Sequence, residues 1–149
     1  MTAPLLVLGV GNPSRGDDAL GPIFVERAAR ALEREVREGG VELLCEFQLQ
    51  IEHALDLLGR RRILFVDASV SAEAPFELAR LAPRADGSVT SHALSPAAVL
   101  EVYRSIHGEP PEAWQLAIKG ERFELGEPLS PGASANLEAA LSALLTLTS

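Results

Sequence analysis

Short apolar runs alternate along this chain with longer stretches in which apolar residues recur at helical spacing. Residues 5–10 and 63–66 form apolar runs of strand length, which is typical of strands buried on both faces of a parallel sheet. Residues 20–38 place apolar side chains every three or four positions and end at a glycine pair, which indicates an amphipathic helix. Further strands are predicted at 41–47, 75–81 and 114–118, and further helices at 51–58, after Ser95-Pro96 and after Ser130-Pro131. This alternation predicts a single three-layer α/β/α domain over residues 1–149, with helices on both faces of the sheet.

Composition and charge exclude several classes of protein. The 149 residues are 47% apolar and 23% charged, as in ordinary globular domains, and 21 acidic against 13 basic residues give a net charge of −8. An acidic surface repels phosphate backbones, so we expect no nucleic-acid partner. The one cysteine, Cys45, cannot form an internal disulfide, and its place in a predicted strand indicates a packed core thiol. With no apolar run of membrane-spanning length and no signal peptide, the chain is predicted to be cytoplasmic, with no membrane partner.

A glycine-rich turn, residues 9–21, connects the first strand to the first helix. Such a turn invites a dinucleotide-binding interpretation, but the position where that motif needs its third glycine is Ser14. The turn also ends in Asp17 and Asp18, and two negative charges at a helix start repel a pyrophosphate. Capping the helix is the simpler role for these residues, and one aspartate is enough for it. A nucleotide-binding domain therefore stays the less favoured alternative.

A third acidic residue, Asp67, follows the apolar run at 63–66. Ligands of open α/β sheets bind beyond the carboxyl ends of the strands, where the winding of the chain reverses. If the first and third strands are neighbours, Asp18 and Asp67 face the same crevice. Two nearby carboxylates repel each other, so one must be protonated or a cation must bind. The alternative is that Asp67 only caps the turn after its strand.

The three histidines differ in their predicted surroundings. His53 falls on the polar side of a short helix and His107 at a helix end before a glycine, so both are interpreted as surface residues. His92 lies in the irregular stretch at 68–94, just before a helix, where its side chain can reach a crevice or simply face solvent. Two carboxylates and one histidine leave coordination positions open, which is typical of catalytic metal sites.

Four segments in the same order resemble the endopeptidases that mature nickel–iron hydrogenases. The turn at 9–21 resembles the opening motif of that family, and residues 63–71, which contain Val66-Asp67-Ala68, resemble its second motif. Residues 91–96 resemble its histidine loop, and residues 118–131 resemble its C-terminal signature. Together these motifs span nearly the whole chain.

This resemblance implies a twisted five-stranded sheet, mostly parallel with one antiparallel strand. It implies a metal-dependent endopeptidase, a hydrolase that removes the C-terminal extension from the precursor of the hydrogenase large subunit after nickel insertion. Asp18, Asp67 and His92 fall on the metal-binding positions of the family and are therefore the expected catalytic and metal-binding residues. The metal is expected to be nickel that the substrate carries, and other divalent metals can occupy such a site.

The family pattern also decides between the adjacent aspartates. Asp18 stands three residues before Gly21, where the family has its acidic ligand, and it lies nearer the helix than Asp17 does. Asp17 is then expected to cap the helix or to face solvent. Losing it should cost no more than the loss of a cap.

Three further residues are predicted to bind substrate. Gly11 and Asn12 lie where they can contact a peptide backbone near the crevice. Gln48 lies in residues 47–52, where many members have a glycine pair, and this stretch is more similar to the branch that serves bidirectional, NAD-linked hydrogenases. Gln48 is interpreted as a substrate-recognition residue or as a polar residue at a strand end. An alternative function for the whole site is a non-catalytic nickel checkpoint that binds the precursor without cutting it.

Overall fold

A computed structural model of the protein describes residues 2–85 and 93–148, with side chains as far as Thr146. The strands are β1 (Leu5–Val10), β2 (Val41–Glu46), β3 (Arg62–Ser69), β4 (Phe76–Arg80) and β5 (Glu112–Lys119). The helices are α1 (Leu20–Ala31), α2 (Glu33–Arg37), α3 (Pro96–His107) and α4 (Pro131–Thr148), with 3-10 helices at Gly16–Ala19 and Ile51–Leu57.

The five strands form one sheet in the order β2-β1-β3-β5-β4. The β1–β2, β1–β3 and β3–β5 pairs are parallel, and β4 runs antiparallel to β5. The predicted five-stranded, mostly parallel sheet with one antiparallel strand is confirmed. Because β2 lies on one side of β1 and β3 on the other, the winding of the chain reverses between β1 and β3, and this is where such folds bind their ligands.

Helices cover both faces of the sheet, as the alternation of apolar patterns predicts. On one face, α1 and α4 bury Phe24 and Leu137 against Val7 and Val66 of the central strands. On the other face, α3 and the 3-10 helix Ile51–Leu57 bury Leu100 and Leu57 against the central strands. The central strands are therefore apolar on both sides, and polar side chains gather at their ends.

Local capping places α3 and α4 where the serine–proline pairs predict them. Ser95 Oγ accepts a hydrogen bond of 3.1 Å from the Ala98 N–H, and Ser130 Oγ accepts one of 3.2 Å from the Ala133 N–H. The long helix predicted after residue 20 instead breaks at Leu32 into α1 and α2. No helix in the described part of the chain is long and apolar enough to cross a membrane.

Cys45 corrects one expectation about the core. It lies on β2, which is an edge strand, and its side chain is exposed. The apolar run around Cys45 led to the prediction of a buried strand, but an edge strand has a neighbour on one side only. The interpretation of a packed core thiol is therefore wrong.

Candidate active site

The pairing of β1 with β3 opens a crevice at the carboxyl edge of the sheet. Their register runs from Leu5 opposite Arg62 to Gly9 opposite Val66 and ends there, whereas β3 stays paired with β5 as far as Ser69. Asp67 is the first residue of β3 beyond the last pair with β1. It therefore stands at the mouth of the crevice, as its position directly after the apolar run at 63–66 predicts.

Asp18 reaches the same crevice from the 3-10 helix Gly16–Ala19. Its Oδ2 accepts a hydrogen bond of 2.8 Å from the Asn12 N–H, which fixes the carboxylate against the turn that leaves β1. The turn requires glycine at position 11, because φ is 149° there and an added Cβ would lie 2.0 Å from the Asp18 carbonyl oxygen. Gly21 anchors the following helix, since a Cβ there would lie 2.8 Å from the carbonyl oxygen of Val66 in β3. The position of Asp18 relative to β3 is therefore set by two close backbone contacts.

Asp67 is largely buried, and its environment disfavours its charged form. Burial raises the pKa of Asp67 to about 6 from an ordinary value of 3.8. Gln115 opposes this rise in pKa, because its side-chain amide donates to both Asp67 oxygens at 3.2 and 3.1 Å. The negative charge of Asp18 adds to the rise, which shows that the two carboxylates are electrostatically coupled. The predicted acidic pair is thus brought together.

This raised pKa gives a testable pH dependence of stability in the metal-free protein. The folded protein keeps the Asp67 proton to a higher pH than the unfolded chain does. The protonated carboxyl therefore contributes its whole stabilisation of the fold below about pH 4, and this contribution is lost as the pH rises through about 6. Asp67→Asn removes that loss. The free energy of unfolding of Asp67→Asn, relative to that of wild type, should therefore increase by on the order of 2–3 kcal/mol as the pH rises from about 4 to about 7. Denaturant unfolding of both proteins across this range measures the difference, and a difference that is constant with pH would contradict the assignment.

Asp17 has a different role from the one expected. Its side chain is fully buried and caps no helix. Its carboxylate accepts four hydrogen bonds, from the backbone N–H groups of Glu121 (2.7 Å), Arg122 (3.0 Å) and Ser130 (2.7 Å) and from the Ser130 hydroxyl (2.7 Å). Burial opposes ionisation of Asp17, but these donors together lower its pKa below the usual value. The expectation of a solvated or capping Asp17 is wrong, because the residue joins the first turn to the loop at 120–130.

In the glycine-rich turn after β1, the backbone N–H groups of residues 11–18 are not available to a phosphate. Between Gly11 and Asp18, every residue except Pro13, which has no N–H, donates its N–H to an acceptor within the protein. The acceptors include Glu46, Arg122 and Glu127 carbonyl oxygens and the Asp18 carboxylate. A phosphate-binding turn needs such N–H groups to point outward, so this arrangement disfavours the nucleotide-binding alternative.

His53 and His107 are placed away from the acidic pair. His53 is buried, not solvated as predicted: its Nδ1 accepts a 2.7 Å hydrogen bond from the Gln50 N–H, and its Nε2 lies 3.5 Å from a Glu46 oxygen. The Gln50 side chain accepts in return from the backbone of His53, so this histidine belongs to the N-terminal cap of its 3-10 helix. His107 ends α3 before Gly108, as predicted, and its ring is tilted against that of Tyr103, with the ring centres 5.0 Å apart.

His92, the third predicted metal ligand, lies outside the described residues. Within residues 2–85 and 93–148, no three His, Cys, Asp or Glu side chains are grouped so that they could hold a metal ion. The structure therefore places two of the three predicted ligands together and leaves the role of His92 a prediction.

The predicted substrate-binding residues lie around the crevice. The N–H groups of Gly11 and Asn12 are bonded within the protein, to Glu46 and Asp18, so these donors hold the turn. Gln48 is half-buried in the bend that follows β2. Peptide binding by these three residues stays a prediction.

An apolar groove of about 220 Å³ lies at the opposite edge of the sheet. Its lining includes Leu5, Arg62 and Glu112, which are the first residues of β1, β3 and β5, and also Trp114 and Leu144. This groove is separated from the acidic pair by the length of the strands, and it contributes nothing to their chemistry.

Solved structures of hydrogenase maturation proteases have this fold over nearly the whole chain. The hydrogenase-maturating endopeptidase HybD from Escherichia coli aligns with a TM-score of 0.71 and 29% sequence identity, over 99% of this chain and 91% of that one. This chain is thus similar in sequence and fold to the hydrogenase maturation endopeptidases, which supports its assignment to that family. An endopeptidase from Escherichia coli, solved in solution, aligns with a TM-score of 0.71 and 28% identity, over 98% of this chain and 91% of that one.

A more distant relative shares the fold. HycI from Thermococcus kodakarensis, a nickel–iron hydrogenase maturation protease, aligns with a TM-score of 0.69 and 22% identity, over 95% of this chain and 90% of that one. No protein-family model matches the sequence, and no curated protein matches it. These comparisons confirm the fold and support the family, while the branch indicated by residues 47–52 stays a prediction.

Proposed function

We propose that this protein is the metal-dependent endopeptidase that removes the C-terminal extension from the large-subunit precursor of a nickel–iron hydrogenase after nickel insertion. The observation that carries the proposal is the coupled pair Asp18 and Asp67 at the β1–β3 crevice, where folds of this class bind their ligands. The maturation proteases with the same fold support the same reaction class.

The acidic pair suits a divalent cation. Two carboxylates face one crevice, and the pKa of Asp67 is raised partly by the charge of Asp18, so the pair carries repulsion that a bound cation would relieve. Carboxylate oxygens bind nickel and other divalent metals, and an imidazole from His92 would complete a set of three ligands with open positions. We infer that the metal is nickel carried into the site by the substrate, and that the remaining coordination comes from the substrate.

Amide hydrolysis needs an activated carbonyl, a nucleophilic water and a route for protons. A metal in this site would supply Lewis-acid polarisation of the carbonyl or a hydroxide near neutral pH. Asp67, with a pKa of about 6, can accept a proton near neutrality, and Gln115 holds its carboxylate in one orientation. Asp18, fixed by the Asn12 N–H, keeps the opposite side of the crevice negative.

The proposed metal site predicts which substitutions weaken metal binding. His92→Ala and Asp18→Asn should each lower the affinity for nickel or cadmium by about tenfold or more, because each removes a ligand. His107→Ala is the matched control, since this histidine ends α3 away from the crevice, and its affinity should equal that of wild type. Calorimetric titration of all four proteins measures the constants. Equal affinities for His92→Ala and His107→Ala would remove His92 from the site.

The direct test of the function is the mass of the large-subunit precursor before and after incubation with the protein. A shortened large subunit and a released C-terminal peptide would support an endopeptidase. A precursor that binds and stays intact would favour the non-catalytic nickel checkpoint instead.

A further inference from the structure

The 3-10 helix Ile51–Leu57 and its flanking residues expose an unusually apolar outer side. Phe47 and Ile51 are each 63% exposed, Leu55 is 61% exposed and Leu58 is 41% exposed. These four residues follow one another at intervals of three or four positions, and we call them the apolar stripe. Single exposed apolar residues are ordinary, whereas several on one short segment mark an interaction surface.

The fold itself does not explain the apolar stripe. The same helix already buries Ala54 and Leu57 against the sheet, and His53 caps it from within. The core of this layer is therefore complete without the stripe residues. Polar side chains at these exposed positions would leave the packing of the core unchanged.

The apolar stripe begins beside the candidate active site. Phe47 is the first residue after β2, and β2 pairs with β1, the strand that leads to Asp18. The Leu94 N–H donates a 2.9 Å hydrogen bond to the Leu49 carbonyl oxygen, which ties this end of the stripe to the segment that enters α3. From there the stripe continues along the outer side of the layer toward Leu58, away from the crevice.

The border of the apolar stripe is acidic. Glu46 directly precedes the stripe, Glu52 and Asp56 lie between stripe residues, and Glu52 is exposed. Arg60 does not offset this charge at the surface, because its side chain is only 6% exposed and is bonded to Glu42 and to backbone carbonyl oxygens. Arg61 is exposed, but it follows Leu58 at the end of the stripe that is distant from Glu46 and Glu52. A partner that fits must therefore combine an apolar centre with basic side chains around it.

A second copy of this chain does not meet that requirement. A symmetric contact would place the same acidic border against itself, and like charges across an interface oppose association. An extended peptide that binds in the crevice would not cover the stripe residues, since the stripe leads away from the crevice. A folded body attached to such a peptide can cover both regions at once.

We propose that the apolar stripe is the docking surface for the folded body of the protein substrate, which presents apolar side chains bordered by lysine or arginine. This inference rests on the proposed function. It separates recognition of the substrate body at the stripe from cleavage of its extension at the acidic pair.

The test compares binding of the nickel-loaded large-subunit precursor to stripe variants. All proteins carry Asp67→Asn, so that binding is measured without cleavage. Ile51→Ser combined with Leu55→Ser should weaken the Kd by about tenfold or more, because central apolar contacts dominate such interfaces. Glu52→Lys, a second variant that keeps the apolar residues, should weaken binding most at low salt. Ile106→Ser is the matched control, since Ile106 is 65% exposed near the other end of α3, and it should leave the Kd unchanged.

The possible outcomes separate this inference from the proposed function. Unchanged affinity of the double serine variant, with normal cleavage by wild type, would overturn the docking surface alone. A wild-type dimer in sedimentation that becomes monomeric in the double variant would assign the stripe to self-association and overturn it as well. If wild type neither binds nor cuts the precursor, the function and the docking surface both fail.

Discussion

Asp17→Ala is expected to lower the free energy of unfolding by about 3–5 kcal/mol, which corresponds to a drop in Tm of about 10 °C or more. The reason is that Asp17 is fully buried and accepts four hydrogen bonds from the loop at 120–130. Without the carboxylate, three backbone N–H groups and the Ser130 hydroxyl lose their acceptor in the interior. Equilibrium unfolding in denaturant measures the loss.

The neighbouring aspartate provides a matched control for this prediction. Asp18→Ala makes the same change one residue along the chain, and the Asp18 carboxylate accepts only the Asn12 N–H among the described hydrogen bonds. Its removal also relieves repulsion with Asp67, so we expect a change in stability within about 1 kcal/mol. If Asp17→Ala is as stable as Asp18→Ala, the loop at 120–130 does not depend on Asp17.

Asp67→Asn is expected to lower the rate of precursor cleavage by at least about 100-fold while the protein stays folded. The substitution removes an oxygen that we propose to bind the metal, and it removes the group whose pKa of about 6 suits proton transfer near neutrality. An asparagine keeps nearly the same shape, so the surroundings of the site should persist. Stability should rise at neutral pH, because burial and the charge of Asp18 both disfavour the ionised carboxyl.

Glu112→Gln is the control for the loss of a carboxylate. Glu112 begins β5 at the opposite edge of the sheet, where it pairs with Arg62. Its replacement should leave the cleavage rate unchanged. Equal rates for Asp67→Asn and wild type would make Asp67 a structural residue.

The elements of the fold and the acidic pair were predictable because local patterns encode them. The apolar runs at β1 and β3 are long enough to identify buried strands, and the serine–proline pairs identify the starts of α3 and α4. The position of Asp67 after an apolar run and of Asp18 after a glycine-rich turn places both at the carboxyl edge. Their proximity then followed from the pairing of β1 with β3.

The residues that were misjudged depend on partners far along the chain or on the position of a strand in the sheet. The hydrogen-bond donors to Asp17 lie 104 to 113 residues away, and Gln115 lies 48 residues from Asp67. The only signal in the sequence for Gln115 was that it is a polar residue between the apolar residues Trp114 and Leu116 of β5. Cys45 was misjudged because an apolar run does not reveal whether its strand is central or at an edge.

His53 was misjudged although its partner is close in sequence. Its Nδ1 accepts from the N–H of Gln50 only three residues earlier. A histidine at the third position of a helix can close a reciprocal cap, as glutamate and glutamine do. Helical spacing alone placed His53 on a polar face and gave no indication of this cap.

The central claim is that Asp18 and Asp67 make this protein an endopeptidase, and intact mass spectrometry of the nickel-loaded large-subunit precursor tests it most directly. The precursor is incubated with wild type, with Asp67→Asn and with Glu112→Gln under identical conditions. We expect wild type and Glu112→Gln to yield a shortened large subunit and a released C-terminal peptide, and Asp67→Asn to leave the precursor intact. A precursor that keeps its full mass with wild type, or is shortened equally by Asp67→Asn, would contradict this account.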